Sequence, residues 1–396
     1  MNNDGIIKIL ILVIIVAAVV VSSLVAAPML RDLFQSRQDT TDVGYSSDTV
    51  RAQVISIVEQ GQAEHQGETQ AYQVAEIEIL EGDFKNTRVF MDFGRNQIMP
   101  EDYVLAAGDE ILVSVGVSMV DQSTDAYFID FVRGRAILLI FAIFVVIAFL
   151  VGSWTGLRSL LGMLIGLGVI VFFIIPQIAG GRNPVVVSVI GSIIFLGLSL
   201  YLVYGWKPMT HAAVISMALA LLITGALSFV FIRLARLTGF GNEDMMFLMQ
   251  QSQIPINMRG ILLAGIIIGS LGVLDDLVVG QSSSVFQLHA ANQSLTFRDL
   301  FTRAMTIGRD HVSASVNTLV LAYAGESLPM LLLFSITNVN LGMALNVSYI
   351  AEEIVRALAG TIGLFISIPI ATALACWWVT RTDSSSDLRH DGVDAA

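Results

Sequence analysis

Eight apolar runs, each close to the roughly 20 residues that carry a helix across a bilayer, dominate this sequence, at 6–27, 136–153, 157–177, 185–204, 210–232, 260–281, 315–336 and 355–379. With 55% hydrophobic and only 14% charged residues among 396, no single water-soluble core has room for that much apolar surface. The chain therefore reads as a mainly α, polytopic helical membrane bundle of about eight spans, with the lipid bilayer as its first partner.

The run from Ile6 to Ala27 is broken only by Lys8. It is too long for the apolar core of a signal peptide and right for a spanning helix. Residues 1–30 thus read as a retained anchor, although Val25-Ala26-Ala27 leaves cleavage open. The net charge of −12 is concentrated in the next segment, where Pro28 to Arg135 holds 19 acidic and 8 basic residues. An acidic domain of this kind excludes nucleic acid, whose phosphates need a positive surface. Val50–Val58, Tyr72–Leu80, Thr87–Phe93, Glu110–Val117 and Ala126–Val132 carry strand character, and Ala106-Ala107-Gly108-Asp109 is a tight-turn signal before the fourth. Residues 31–135 are therefore predicted to be a linker followed by a small all-β, OB-like barrel between spans 1 and 2. Residues 136–380 form a seven-helix transmembrane domain and 381–396 a disordered tail. Placing the N-terminus inside puts most of the basic connections and the tail in the cytoplasm and the β-domain outside. Gly162 with Gly166, and Gly265 with Gly269, are spaced for close helix packing.

Ionisable residues inside apolar spans are costly and mark pathways or sites. Asp275 and Asp276, in Leu274-Asp275-Asp276-Leu277, lie some five residues inside the inner end of their span. At the centre of a span each Asp costs about 2.5–3.5 kcal/mol even on the lowest insertion scale. Two adjacent carboxylates in a low dielectric cannot both ionise cheaply, so the pair is expected to hold one proton and titrate together, as a proton carrier does. On the next helix Asp310 and Asn317 recur on one face while His311 and Thr318 line the adjacent one, so these residues are expected to form a polar cluster with the pair. Glu326, in Ala324-Gly325-Glu326-Ser327-Leu328-Pro329, is expected beside a bent or broken helix as an outer relay. Glu352, Glu353 and Arg356 read as an interfacial ion-pair set. The alternative for the Asp pair is helix packing, by bonds to Ser270, Asn317 and Thr318.

Enzymatic readings find little support. The chain has no His-Glu-x-x-His, no Gly-x-Ser-x-Gly and no Gly-x-x-x-x-Gly-Lys-Ser/Thr. The only cysteine, Cys376, lies in an apolar run, so neither a disulfide nor a Cys-rich metal site is available. No catalytic residue and no cofactor is expected. Asp275, Asp276, Asp310 and His311 are of the types that hold a hard divalent cation, which leaves a metal an open alternative.

The strings Gly272-Val273-Leu274-Asp275-Asp276, Gly308-Arg309-Asp310-His311, Asn317-Thr318-Leu319-Val320-Leu321-Ala322-Tyr323 and Leu328-Pro329 resemble the hallmark motifs of the bacterial YibE/F-like membrane proteins. That resemblance implies a multi-pass protein of the bacterial cell membrane with an extracytoplasmic N-terminal domain, and no established activity. A weaker local likeness, from Arg259 to Phe334, is to the core of RND-type transporters and the SecD/SecF motors. There a helix with buried Asp residues is followed by an amphipathic connector, here Asn292 to Thr306, and a polar-started helix. This chain departs from them by two extra spans, one such half and a smaller ectodomain, which implies a homo-oligomer or a second membrane subunit. The reading that follows is a proton-responsive transport or translocation-related membrane protein of unknown substrate. The alternative is a non-transporting scaffold or sensor whose β-domain binds an envelope partner.

Overall fold

A computed structural model of the chain describes residues 48–390 apart from 66–67, 96–102, 118–123, 242, 252–255 and 338–339. The expected anchor (1–30) and linker (31–47) lie outside the described residues. The described chain divides into two compact units that meet between Leu150 and Val151, fifteen residues beyond the boundary expected from the sequence.

The first unit holds five strands, β1 (Asp48–His65), β2 (Glu68–Ile79), β3 (Arg88–Phe93), β4 (Glu110–Val117) and β5 (Thr124–Phe131), in one antiparallel sheet of order β3-β2-β1-β4-β5. Each alternates apolar and polar residues, so one face collects Val54, Ile77, Ile79, Met91, Phe93, Ile111, Val113 and Phe128 into a dry core. The sheet curls until its two edge strands touch: the Phe93 ring of β3 lies 4.6 Å, edge to face, from Phe128 of β5. The turn before β4 forms as expected. Gly108 supplies a φ of +99°, Ala106 N–H donates to Asp109 Oδ2 at 2.8 Å, and Gly108 N–H donates to the Val54 carbonyl. At the domain's end the Arg133 guanidinium, 2.6 Å from Asp130, holds that carboxyl below the usual carboxylate range. Truncating Phe128 to Ala opens the seam between β3 and β5. We expect it to cost about 3–5 kcal/mol, read in the full-length protein as lost hydrogen-exchange protection in those strands.

The second unit is helical. Helix α1 (Gly134–Val169) crosses the boundary between the units and continues through a π-turn (Ile170–Ile174) into α2 (Ile175–Ala179). It is followed by α3 (Pro184–Tyr204), α4 (Pro208–Leu234), α5 (Glu243–Gln251), α6 (Met258–Ala291), α7 (Phe297–Glu326), α8 (Leu328–Ile336), α9 (Leu341–Ala344) and α10 (Ser348–His390). Among the described residues five helices are long and apolar enough to cross a membrane, or six when α7 and α8 count as one bent span, against the seven expected in this region. The expected runs 136–153 and 157–177 fall together within one of the five, Gly134–Ala179. Two helices meet there across a kink at Ser153 (φ 50°, ψ −142°), where one apolar run of the sequence ends and, four residues on, the next begins. From Ile137 to Val151 the apolar side chains of α1 are exposed at every position but Val145 and Ala148, Val151 at 86%. Lipid, not water, is the solvent for such a surface.

The core of this unit is where α4, α6 and α10 pack, around Met217, Ala220, Ile266, Ile267, Leu274, Leu364 and Ile368. Small residues allow it: a Cβ on Gly363 would stand 2.3 Å from Thr224 Oγ1. The expected close approach at Gly162 and Gly166 is present, against Ser199 and Phe195 of α3. The one expected at Gly265 and Gly269 is not: nothing stands within 4 Å of a Cβ at either position. Helix α10 runs to His390, past the tail boundary expected at 381, because Thr382 to Arg389 holds neither glycine nor proline to stop it. Residues 391–396 lie outside the described residues.

Candidate functional site

Helix α6 starts where the Asn257 side chain accepts the Gly260 N–H at 3.1 Å and ends at Asn292. Asp275 and Asp276 fall at the midpoint of its 34 residues, about 25 Å from either end at 1.5 Å per residue. That is deeper along the helix than the five residues expected. Asp275 is half-buried, and its Oδ1 is buried with no hydrogen-bond partner. Asp276 is exposed, on the same side as Gly265, Gly269 and Gly272, which are also exposed. The polar group that the fold brings into electrostatic range of both carboxylates is Tyr204, at the end of α3.

The neighbouring α7 begins with Thr296, whose Oγ1 accepts the Asp299 N–H, and continues without interruption for 30 residues. The connector and returning helix expected from sequence are thus one helix, with only Asn292 to Thr296 as linker. Its register on α6 is set by Gln281, whose Nε2 donates to the Ala304 carbonyl at 2.9 Å and to Thr372 Oγ1 of α10 at 2.7 Å. Gly308 packs against the same side chain. Six residues up α6 from Gln281 is Asp275. The same step up the antiparallel α7 from Ala304–Gly308 reaches Asp310–Ala314. Asp310 and His311 are therefore level with the pair, and Asn317 and Thr318 lie about two turns further along.

Asp310, His311, Asn317, Thr318 and Glu326 are all exposed. Among the described residues no hydrogen bond or ion pair joins Asp275 or Asp276 to any of them. Thr318 instead donates to the Ala314 carbonyl of its own helix. No group of three or more His, Cys, Asp or Glu residues among those described stands close enough together to hold a metal ion.

The break expected near Glu326 is present. Helix α7 stops at Glu326, and α8, with Pro329 in its first turn, leaves at 58°. Glu326 there lies in electrostatic range of Tyr323 and of Glu353 on α10. Glu353 pairs with Arg356 at 2.7 Å, as the ion-pair reading expected. Glu352 does something else: its Oε1 accepts the N–H groups of Gly239 (3.0 Å) and Gly241 (3.3 Å), pinning the end of α4 to the start of α10.

Sequence reasoning missed Gln281 and Tyr204, and gave Glu352 an ion-pair role where it instead accepts backbone N–H groups. Gln281 had a visible signal, an amide six residues after Asp275 in an apolar run. The Tyr204 and Glu352 contacts join residues distant in the chain, and spacing cannot show them.

Neither the curated proteins nor the solved structures contain a match to this chain. One family model does match, over residues 140–381, which is the helical unit together with the last residues of the first. Those are the residues that carry the Asp pair, the uninterrupted α7 and the broken α7–α8 span, and with well over half of its length matched the chain belongs to the YibE/F-like protein family.

Proposed function

We propose that this integral membrane protein is proton-responsive and serves transport or translocation, with Asp275 and Asp276 as a coupled proton carrier. The observation that carries the reading is the half-buried Asp275, with an unpartnered Oδ1, at the middle of an apolar helix beside a second carboxylate. A structural carboxylate at such depth would be expected to have a donor. A group that must take up and release a proton needs a face that is not tied down. The membrane potential supplies ~2.3 kcal/mol per charge per 100 mV, which is enough to bias a conformational cycle driven by protonation. Asp310 and His311 then stand level with the pair, Asn317 and Thr318 about two turns beyond, and Glu326 at the bent end as an outer relay. In this reading the termini are cytoplasmic and the β-domain, an OB-like barrel, is extracytoplasmic in a bacterial cell membrane. Reconstituted into liposomes with an imposed pH gradient, the protein is expected to dissipate that gradient. A tight liposome with the protein folded inside would sink the reading.

The exposed face of α7 bears on quaternary structure. Ala314, Thr318, Ala322 and Glu326 follow one another four apart, with Asn317 beside them, and all are exposed. Polar and small side chains at membrane depth favour a protein neighbour over lipid. Asn317, both donor and acceptor, can pair with its own copy, so a second copy of the chain is the preferred neighbour, with a second membrane subunit as the alternative. A Thr318→Cys variant in a Cys376→Ala background is expected to give a dimer on oxidation. Monomer alone would exclude the α7 face as a self-interface.

Phe90, Tyr127 and Ile129 on the outer face of β3 and β5 are exposed, Phe90 at 66%. They favour the scaffold or sensor reading, in which the β-domain holds an envelope partner. That reading predicts no flux in wild type or in any Asp variant.

A further inference from the structure

The bend between α7 and α8 leaves space that the proton pathway does not use. Ser327 precedes α8 without capping it by its side chain, Pro329 stands in the first turn of α8, and the 58° turn carries α8 away from the course of α7. Between the bend, α9 and the first three turns of α10 lies a cavity of about 440 Å³, within the range of small-molecule sites. Its walls are apolar, among them Leu331, Phe334, Ile350 and Ile354, and its few polar groups are the hydroxyls of Tyr323, Ser327 and Ser335 and the carboxylate of Glu353.

Glu353 is the charged group on the wall. Its side chain is 13% exposed; Oε1 accepts from Arg356, while Oε2 is buried with no partner. The carboxylates of Glu326 and Glu352 are in electrostatic range, so three acids face a single guanidinium and the local balance is negative. A buried carboxylate oxygen without a donor is costly in isolation, and an N–H⁺ group reaching Oε2 would remove that cost while correcting the charge. A neutral apolar guest would do neither, and an anion would add to the repulsion. The wall residues match an apolar body, and the Tyr323 and Phe334 rings offer faces to a cation.

We propose that this cavity binds an amphiphilic amine, with the ammonium head on Glu353 Oε2 and the apolar body between α8 and α10. The site stands on its own geometry; only the further step, that such an amine is the transported substrate, rests on the proton-coupled reading above. The bearer of the ammonium is either a free amine or an amine-headed lipid.

The test is binding of phenylbutylamine to the full-length protein in phosphatidylcholine nanodiscs, against empty nanodiscs, with phenylbutanol and phenylbutyrate as neutral and anionic counterparts. Saturable binding of the amine is expected, with the alcohol and the acid at least tenfold weaker. Glu353→Gln should weaken the amine at least tenfold. Ala357→Leu, which fills the cavity and leaves every charge in place, should abolish binding even if Glu353→Gln proves unstable. Equal binding of amine and alcohol, or full binding by Ala357→Leu, would overturn the proposal. Repeating the titration with phosphatidylethanolamine in the disc separates the sources: competition supports the site with a lipid as its occupant, and no competition supports it with a free amine. Asp275→Asn should bind normally. Binding without flux defeats the transport reading alone, and flux without binding defeats this site alone.

Discussion

Asp275→Asn is expected to abolish proton flux while leaving the protein folded and more stable than wild type. The substitution keeps the shape of the side chain and removes the group proposed to carry the proton. It also replaces an acid whose buried Oδ1 has no donor with a neutral amide. Burying an unpaired ionisable group costs more than burying an amide, so the variant should gain on the order of 1 kcal/mol, seen as a higher melting temperature. Asp276→Asn, on the exposed side of the same helix, should reduce flux without a comparable gain in stability. Asp275→Glu should restore part of the flux. If the pair only packed the bundle, the pattern would reverse, with Asp275→Asn melting earlier and flux equal in both proteins. Reconstituted flux and thermal unfolding of the same preparations distinguish the two outcomes.

Gly308→Leu is expected to be the most damaging single change in the helical unit. A Cβ at this position would stand 2.5 Å from Ile368 Cγ2 and 2.9 Å from Gln281 Oε1. Gln281 cannot retreat, because its amide already bridges the Ala304 carbonyl on α7 and Thr372 on α10. The substitution therefore forces α7 away from α6 and α10 and breaks both hydrogen bonds. The overpacking alone costs about 1–3 kcal/mol, and the stranded amide adds about 1–3 kcal/mol. Loss of the monodisperse species in detergent at temperatures where wild type survives is the expected result. A Leu variant as stable as wild type would show that α7 does not pack here. Gly325→Leu, where nothing stands within 4 Å of a Cβ, is the matched control and should be tolerated in the isolated chain.

The family motifs illustrate what residue order can convey. Gly308-Arg309-Asp310-His311 is legible as a conspicuous polar string, and its likeness to the YibE/F-like proteins agrees with the family match. Yet the string mixes roles. Gly308 is a packing residue at a three-helix junction, whereas Asp310 and His311 point away from the core. The break after Glu326 was legible because Pro329 cannot continue a helix that needs its N–H. The helix count was less so: apolar runs mark what prefers lipid, but nothing in hydropathy shows how sharply the chain bends between them, as it does at Ser153.

Composition and periodicity by themselves determined that this chain has long apolar helices and an alternating five-stranded domain, because burial preference and side-chain period are properties of each residue and its near neighbours. They also marked Asp275, Asp276 and Glu326 as out of place. Only the tertiary structure decided which groups meet: the Asp pair lies near Tyr204, Glu352 pins the loop after α4, and Glu353 lines a cavity at a bent span. Those contacts join residues up to 113 positions apart, and contact at such separation is set by how helices pack, to which local spacing is blind.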